Sequence, residues 1–131
     1  ARKFLKENGL DYAHGTGHGV GFFLNVHEGP QSISKFNSIK IKEGMVLSNE
    51  PGFYKKGQFG IRIENLVYVN KVKNKLFFEN LTLVPIEKEL INFNLLSENE
   101  KNYLFKYHLK VYSTYSEFLN KDERKWLASL I

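Results

Sequence analysis

The chain has 131 residues, with no cysteine, three prolines and two aspartates. The absence of cysteine excludes a disulfide scaffold, thiolate zinc sites, iron–sulfur clusters and a cysteine nucleophile. It also fits a reducing compartment, and we expect a cytoplasmic protein. No apolar run approaches the roughly 18 residues that a membrane span requires, so no membrane partner is expected.

Arginine is also scarce: three residues, against a combined Lys and Arg count of 19 and a net charge of +5. A basic balance can indicate nucleic-acid binding. Here the charge is almost all lysine and lies mostly in turn-rich segments. This pattern favours a solvated lysine-rich surface, and we expect no nucleic-acid partner.

The length fits one ordinary domain or the cut end of a larger one. The chain opens with Ala1 and carries no signal peptide. A helix is predicted over Arg2 to Asn8, ended by Gly9, and it starts without a capping residue. The sequence therefore predicts a chain whose beginning has been cut.

Two regimes follow one another along the chain. Strands are predicted by β-branched and aromatic runs at Met45–Asn49, Ile61–Val69 and Leu76–Ile86. Beyond residue 96, Ser97 with Glu100 and Asn120 with Glu123 mark the capped starts of two amphipathic helices. We predict an α+β fold with a mainly antiparallel sheet, divided into residues 1–95 and a helical extension at residues 96–131.

Three histidines, His14, His18 and His27, fall within fourteen positions. His14 and His18 have the i,i+4 spacing of helical zinc peptidases, but glycine follows His14 where the motif needs glutamate. Alternating glycines there also disfavour a helix. The pattern indicates an extended or looped backbone that passes close to a ligand or another strand.

Two carboxylates lie on the strands that follow. Strand alternation puts Ser48 and Glu50 on one face, and Arg62 and Glu64 on one face of the next strand. An acid within an apolar strand must be exposed, paired or metal-bound, because an unpaired buried charge is too costly. Together with the histidines, Glu50 and Glu64 suit manganese, zinc, cobalt or iron(II).

The segments HGTGHGVGFFLNVHEGPQSIS, EGMVLSNEPGFY and GIRIENLVYV, in this order, strongly resemble the catalytic domain of aminopeptidase P. These Xaa-Pro aminopeptidases belong to the pita-bread metallopeptidases, together with prolidase, methionine aminopeptidase and creatinase. The resemblance implies that residues 1–95 are the C-terminal portion of a pita-bread domain. It also implies that residues 96–131 are the C-terminal extension of the longer aminopeptidase P type.

The resemblance further implies a dinuclear site held by two Asp, one His and two Glu. Manganese is the expected metal, with zinc or cobalt as alternatives. His18 matches the His ligand, Glu50 matches the Glu ligand that also takes the proton of the attacking water, and Glu64 matches the bridging Glu.

The remaining matches concern substrate contact and support. His14 and His27 match histidines that contact the scissile carbonyl or the peptide, and Arg62 matches an Arg that supports the ligands. Tyr54 matches, more loosely, a Tyr beside the site. The implied activity is hydrolysis of the N-terminal residue from peptides with proline second, by metal-activated hydroxide.

The two Asp ligands of the family have no match in this chain. Asp11 lies too close to His14 to be one of them, and Asp122 lies in the helical tail. We therefore predict a C-terminal fragment of a Xaa-Pro aminopeptidase with an incomplete metal site, inactive by itself.

Two other functions stay open: a prolidase-type Xaa-Pro dipeptidase, and a non-catalytic pita-bread module that binds peptide or protein. The apolar stripes of the tail, Tyr103/Leu104/Tyr107 and Trp126/Leu127/Leu130/Ile131, have two predicted uses. They pack on the sheet, or part of them forms a homodimer interface. His108, on the same tail, is predicted to have a packing role rather than a catalytic one.

Overall fold

The computed structural model describes residues 1–23 and 25–131, which divide into two compact units, residues 1–82 and 83–131. The first unit holds helix α1 and seven short strands, and the second holds helices α2 and α3. The predicted division at residue 95 stays a prediction. The elements are α1 Lys3–Glu7, β1 Gly17–His18, β2 Ser32–Ile33, β3 Val46–Asn49, β4 Gly52–Lys55, β5 Phe59–Arg62, β6 Asn65–Val72, β7 Lys75–Asn80, α2 Glu98–Tyr115 and α3 Lys121–Ala128.

The sheets of the first unit are antiparallel throughout. Strands β3, β6 and β7 form one sheet in that order, while β1 pairs with β2 and β4 pairs with β5. A single bridge between Gly19 and Leu47 joins the β1 region to β3. The core consists of Leu47, Val67 and Val69, with Ile33, Ile41 and Met45 packed around it. Alternate residues of β6 thus supply two of its three buried members.

Two predicted strands need correction. The predicted strand Ile61–Val69 is two strands, because β5 ends at Arg62 with β4 as its partner and β6 begins at Asn65 beside β3. Glu64 lies between them, so strand alternation does not place it on the face of Arg62. The predicted strand Leu76–Ile86 ends at Asn80, and residues from Leu83 onward belong to the second unit.

Helix α1 ends as the sequence predicts. Gly9 has φ +68°, a conformation that glycine adopts without a steric penalty. The Gly9 N–H donates to the Lys6 carbonyl, and the Leu10 N–H donates to the Leu5 carbonyl. These two bonds form a Schellman motif, which turns the chain from α1 toward the histidine-bearing segment.

The glycine-rich run is extended, and two of its glycines are required by close backbone contacts. A Cβ on Gly17 would lie 1.9 Å from the Ser48 carbonyl oxygen, and one on Gly19 would lie 2.0 Å from the Glu28 carbonyl oxygen. The prediction of a backbone passing close to another strand is confirmed. His18 therefore lies between two glycines whose backbone is in direct contact with neighbouring segments of the chain.

Replacing Gly17 with alanine tests this packing. We expect the free energy of unfolding of residues 1–82 to fall by about 1–3 kcal/mol, because backbone must move to admit the methyl group. Gly15→Ala is the matched control, since its Cβ would meet nothing closer than 3.9 Å. Denaturant titrations of both variants provide the measurement, and equal stabilities would contradict the packing argument.

Helices α2 and α3 of the second unit both begin with the predicted capping boxes. Ser97 and Glu100 exchange hydrogen bonds at the start of α2, and Asn120 and Glu123 do so at the start of α3. Each box satisfies backbone N–H groups that the first helical turn leaves without partners. No helix among the described residues is both long and apolar enough to cross a membrane.

The apolar stripes of the tail are buried only in part. Tyr107, Val111 and Leu127 form the core of the second unit, with Leu83, Ile86, Tyr112, Leu119 and Leu130 packed around them. Tyr103 and Trp126 are exposed by 59% and 60%. The helices therefore use one side of each stripe to pack against each other and against the Leu83–Ile86 segment.

His108 has the packing role that the sequence predicts. It is 3% exposed, and its Nε2 accepts the Ile86 N–H at 3.0 Å while its Nδ1 donates to the Leu130 carbonyl at 2.7 Å. Both ring nitrogens are thereby satisfied within the unit. The imidazole ties the Leu83–Ile86 segment and the end of α3 to α2.

His108→Ala should lower the free energy of unfolding by about 2–4 kcal/mol, because it leaves two part-buried backbone groups without their partner and opens a cavity. Tyr107→Phe, which removes one hydrogen bond to the Val84 carbonyl, should cost only about 1 kcal/mol. Denaturation followed by the fluorescence of Trp126, the single tryptophan, reports on this unit. A His108→Ala variant as stable as Tyr107→Phe would contradict the tying role.

Candidate metal and catalytic site

Glu50 is the centre of the candidate site. It follows β3 and is 8% exposed. Its Oε1 accepts a hydrogen bond from Ser48 Oγ at 2.9 Å and lies 3.2 Å from His18 Nε2, while its Oε2 lies 3.3 Å from Arg62 Nη1. Its backbone N–H donates to the Thr16 carbonyl at 2.8 Å. Three separate segments therefore hold one buried carboxylate.

His18 is oriented with one nitrogen toward Glu50. Its Nδ1 lies 2.9 Å from the Gly19 carbonyl oxygen, and since a carbonyl only accepts, Nδ1 carries the proton. In the neutral imidazole the Nε2 lone pair then faces Glu50 Oε1. Its backbone N–H donates to Ser48 Oγ at 2.9 Å, which fixes the start of the side chain as well.

The space between His18 Nε2 and Glu50 Oε1 suits a cation. Both atoms present lone pairs, and two ligands at about 2.0–2.2 Å from one metal lie roughly 3 Å apart. The observed 3.2 Å separation agrees with that value. The hydrogen bond at Nδ1 is the support that a metal-binding histidine ordinarily has. These two residues fit a divalent metal.

A second group joins His14, Tyr54 and Arg62. His14 Nδ1 donates to the Gly15 carbonyl at 2.7 Å, so its Nε2 accepts the Tyr54 hydroxyl at 2.8 Å. Arg62 Nε donates to the same hydroxyl oxygen at 2.8 Å. Tyr54 thus links His14 to Arg62, which also pairs with Glu50.

The pKa of Arg62 is raised above its ordinary value, first by the hydrogen bond to Tyr54 and then by the nearby charges of Tyr54, Glu50 and Glu64. Arg62 therefore remains a permanent cation at the edge of the site. Its guanidinium balances carboxylate charge that would otherwise be partly buried and unpaired.

The hairpin β4–β5 positions both Tyr54 and Arg62. Tyr54 lies opposite Gly60 in the register, and Arg62 lies opposite Gly52. A Cβ on Gly52 would lie 2.4 Å from the Tyr54 hydroxyl oxygen, and one on Gly60 would lie 2.8 Å from its ring. The tyrosine ring therefore packs directly against two glycines, which fix its position on the hairpin.

The other two predicted site residues are less tightly held. His27 is exposed, and its ring lies against that of His18 with centroids 3.9 Å apart and the planes tilted by 33°. Glu64 is exposed, and its charge acts on Arg62. Among residues 1–23 and 25–131, no three His, Asp or Glu side chains form a group that could hold a metal.

Ser48 and Thr16 are site residues to which sequence reasoning assigned no role. Strand alternation placed Ser48 on the face of Glu50, but gave no reason to connect it with His18. In the structure Ser48 is fully buried and accepts from His18 while donating to Glu50. Thr16 contributes through its backbone carbonyl, a contact that side-chain identity does not reveal.

Known proteins match nearly the whole chain. Residues 1–71 match metallopeptidase family M24, and residues 74–130 match the C-terminal region of that family. A probable Xaa-Pro aminopeptidase P of Coprinopsis cinerea is 49% identical over 140 aligned positions, covering 97% of this chain and 22% of that protein. A putative Xaa-Pro aminopeptidase of Saccharomyces cerevisiae, FRA1, is 47% identical, covering 97% of this chain and 18% of that protein.

A solved structure agrees with the fold. X-prolyl aminopeptidase from Caenorhabditis elegans, described as a cytosolic enzyme with a di-nuclear active site, superposes with a TM-score of 0.89 at 44% identity. The match covers 98% of this chain and 23% of that one. The chain thus spans about a fifth of the length of the relatives that it matches. The predicted α+β class, as part of a pita-bread domain, is confirmed.

The structure places His18, which is flanked by two tightly packed glycines, beside the buried Glu50. Both residues lie within the segment 1–71 that matches the family. The chain belongs to metallopeptidase family M24.

Proposed function

We propose that this chain is the C-terminal part of a dinuclear Xaa-Pro aminopeptidase, which removes the N-terminal residue from peptides with proline second. The observation that carries the proposal is the pair of His18 Nε2 and Glu50 Oε1, oriented toward each other at 3.2 Å within a family M24 chain. The names of the relatives supply the substrate class.

Three residues of this chain serve as metal ligands in the proposal: His18, Glu50 and Glu64. His18 and Glu50 already face one position, and Glu64 lies near Arg62 at the same edge. The remaining donors come from outside this chain, because its two aspartates are elsewhere. Asp11 pairs with Arg2, and Asp122 lies in the first turn of α3.

Divalent metals bound there would polarise the scissile carbonyl and lower the pKa of a water molecule. Glu50 accepts the proton of that water and delivers it to the departing proline nitrogen. A proline nitrogen has no N–H in the peptide and must be protonated as it leaves. Arg62 and Ser48 keep the Glu50 carboxylate in place during both transfers.

In the proposal His14 and His27 contact the peptide and the scissile carbonyl, and the exposed His27 donates to the developing oxyanion. His14 is held by Tyr54 and is therefore the more rigid of the two. His27 is exposed and its ring lies against that of His18, so it stands at the open side of the metal position. Tyr54 contacts substrate at the rim of the site and links His14 to Arg62.

Finer features remain predictions that follow from the family resemblance: manganese as the metal, a cytoplasmic location and a homodimer. The cytosolic description of the nematode enzyme supports the second. The division into a catalytic portion at residues 1–95 and an extension at residues 96–131 is likewise a proposal.

The test compares this chain with the whole protein in Mn²⁺ titration calorimetry and in hydrolysis of Xaa-Pro peptides of graded length. We expect the whole protein to bind two metals and to cleave tripeptides and longer substrates, and this chain to show no turnover. Cleavage restricted to dipeptides would favour a prolidase-type enzyme. Absence of turnover in both proteins would favour a peptide-binding module.

Glu50→Gln in the whole protein should lower kcat by about 10³-fold or more, because it removes both a ligand charge and the proton acceptor. Glu43→Gln is the matched control, an exposed acid in the turn before β3. Steady-state kinetics provide the measurement. A Glu50→Gln variant with the kcat of Glu43→Gln would rule out the role assigned to Glu50.

Ser48→Ala should weaken Mn²⁺ binding by about tenfold, the effect expected when a ligand loses its supporting hydrogen bond. The substitution removes the bond to Glu50 Oε1 and the acceptor for the His18 N–H. Ser38→Ala, at an exposed position, is the control for calorimetry on the whole protein. Equal affinities in the two variants would show that Ser48 does not orient the ligands.

A further inference from the structure

Arg2, directly before α1, binds the segment that leads to His14. Its Nη1 donates to the Tyr12 carbonyl at 2.7 Å, and its Nη2 donates to the His14 carbonyl at 2.5 Å. The guanidinium carbon lies 3.8 Å from the centre of the Tyr12 ring. One planar group therefore fixes two carbonyls and one ring of the same short loop, residues 11–16.

Asp11 locks this guanidinium in place. Its carboxylate pairs with Arg2 Nη1 and accepts the Tyr12 N–H at 2.9 Å. The hydrogen bond from Arg2, followed by that from the Tyr12 N–H, lowers the pKa of Asp11 below its ordinary value. The carboxylate therefore stays charged through the neutral range, and Arg2 keeps its counter-ion.

The loop that Arg2 holds meets the site at two points. His14 Nε2 accepts the Tyr54 hydroxyl, and the Thr16 carbonyl accepts the Glu50 N–H. Within the loop, the Tyr12 hydroxyl lies 2.7 Å from Thr16 Oγ1. This buried hydrogen bond joins Tyr12, which Arg2 contacts, to Thr16, which contacts Glu50. A shift of the loop would therefore move His14 and loosen the backbone of Glu50.

We propose that Arg2 is a positioning residue of this site, which fixes the His14 loop so that the imidazole keeps its bond to Tyr54. Its consequence for catalysis rests on the function proposed above, while its effect on His14 does not. The hydrogen bonds of Arg2 go to Asp11 and to the Tyr12 and His14 carbonyls, so it acts on the site through the loop.

An arginine suits this position for geometric reasons. The guanidinium fork presents several N–H donors in one plane and can serve two carbonyls, a carboxylate and an aromatic face together. A lysine ammonium retains the charge toward Asp11 but cannot reproduce the planar fork or the ring stacking. Arg2→Lys should therefore restore only part of what Arg2→Gln loses.

The first measurement is the rate at which diethylpyrocarbonate modifies His14, followed by peptide mass spectrometry on the whole protein. In Arg2→Gln we expect the rate at His14 to rise about fivefold, the factor that corresponds to one ordinary hydrogen bond. Lys3→Gln is the matched control, because it removes one positive charge from the same helix without touching the loop. Amide exchange of residues 65–72 verifies that the sheet remains folded.

The second measurement is a double-mutant cycle in Xaa-Pro peptide hydrolysis. We expect Arg2→Gln to lower kcat by about tenfold with KM nearly unchanged, as for a small displacement of a catalytic group. His14→Ala with Arg2→Gln should match His14→Ala alone, because the two residues act as one unit. Mn²⁺ affinity should change much less than kcat in Arg2→Gln, because the contacts of the Glu50 carboxylate with Ser48, His18 and Arg62 do not involve the loop.

Three results would overturn the proposal. The first is an unchanged modification rate at His14 in Arg2→Gln with amide exchange intact. The second is a loss of kcat that adds in full to that of His14→Ala, and the third is an Arg2→Lys variant equal to wild type. If the wild-type protein does not hydrolyse Xaa-Pro peptides, the proposed function fails, and the modification rate still decides whether Arg2 fixes His14.

Discussion

Burial of the Glu50 carboxylate is the constraint on which the rest of the site depends. An ionised carboxylate at 8% exposure is too costly unless charges and hydrogen bonds replace its water. Ser48 and Arg62 meet its two oxygens, and the Thr16 carbonyl accepts its backbone N–H. Strand β3, the glycine-rich segment and hairpin β4–β5 must therefore converge at this residue, which brings four functional side chains within reach of one another.

These segments can come together only because glycines at the contact points leave room for the neighbouring backbone. Gly17 lies against the Ser48 carbonyl and Gly19 against that of Glu28, so the backbone around His18 has no room for a Cβ at either position. Strand β1 is only two residues long, and neighbouring segments determine its place. Gly52 and Gly60 likewise leave room for the Tyr54 ring, which a Cβ at either position would contact too closely. The glycines thus contribute to function by permitting contact, while the charged residues supply the chemistry.

His108 and His18 show how the environment separates a structural histidine from one proposed to bind a metal. Both donate from Nδ1 to a backbone carbonyl. At His108 the other nitrogen accepts a backbone N–H, which completes its hydrogen bonding inside the second unit. At His18 the other nitrogen faces a carboxylate oxygen that also presents lone pairs. Only the second arrangement leaves a place for a cation.

The fold class, the Gly9 helix stop, both capping boxes and the order of His18, Glu50 and Glu64 could be predicted from the sequence. All of these depend on local spacing and on residue chemistry. The division of the predicted strand at Ile63 and Glu64 was decided by tertiary structure, since β5 and β6 pair with different strands. The links from Arg2 to His14 and from Thr16 to Glu50 were also beyond the sequence. They run through backbone carbonyls and long-range packing, which leave no mark on residue identity.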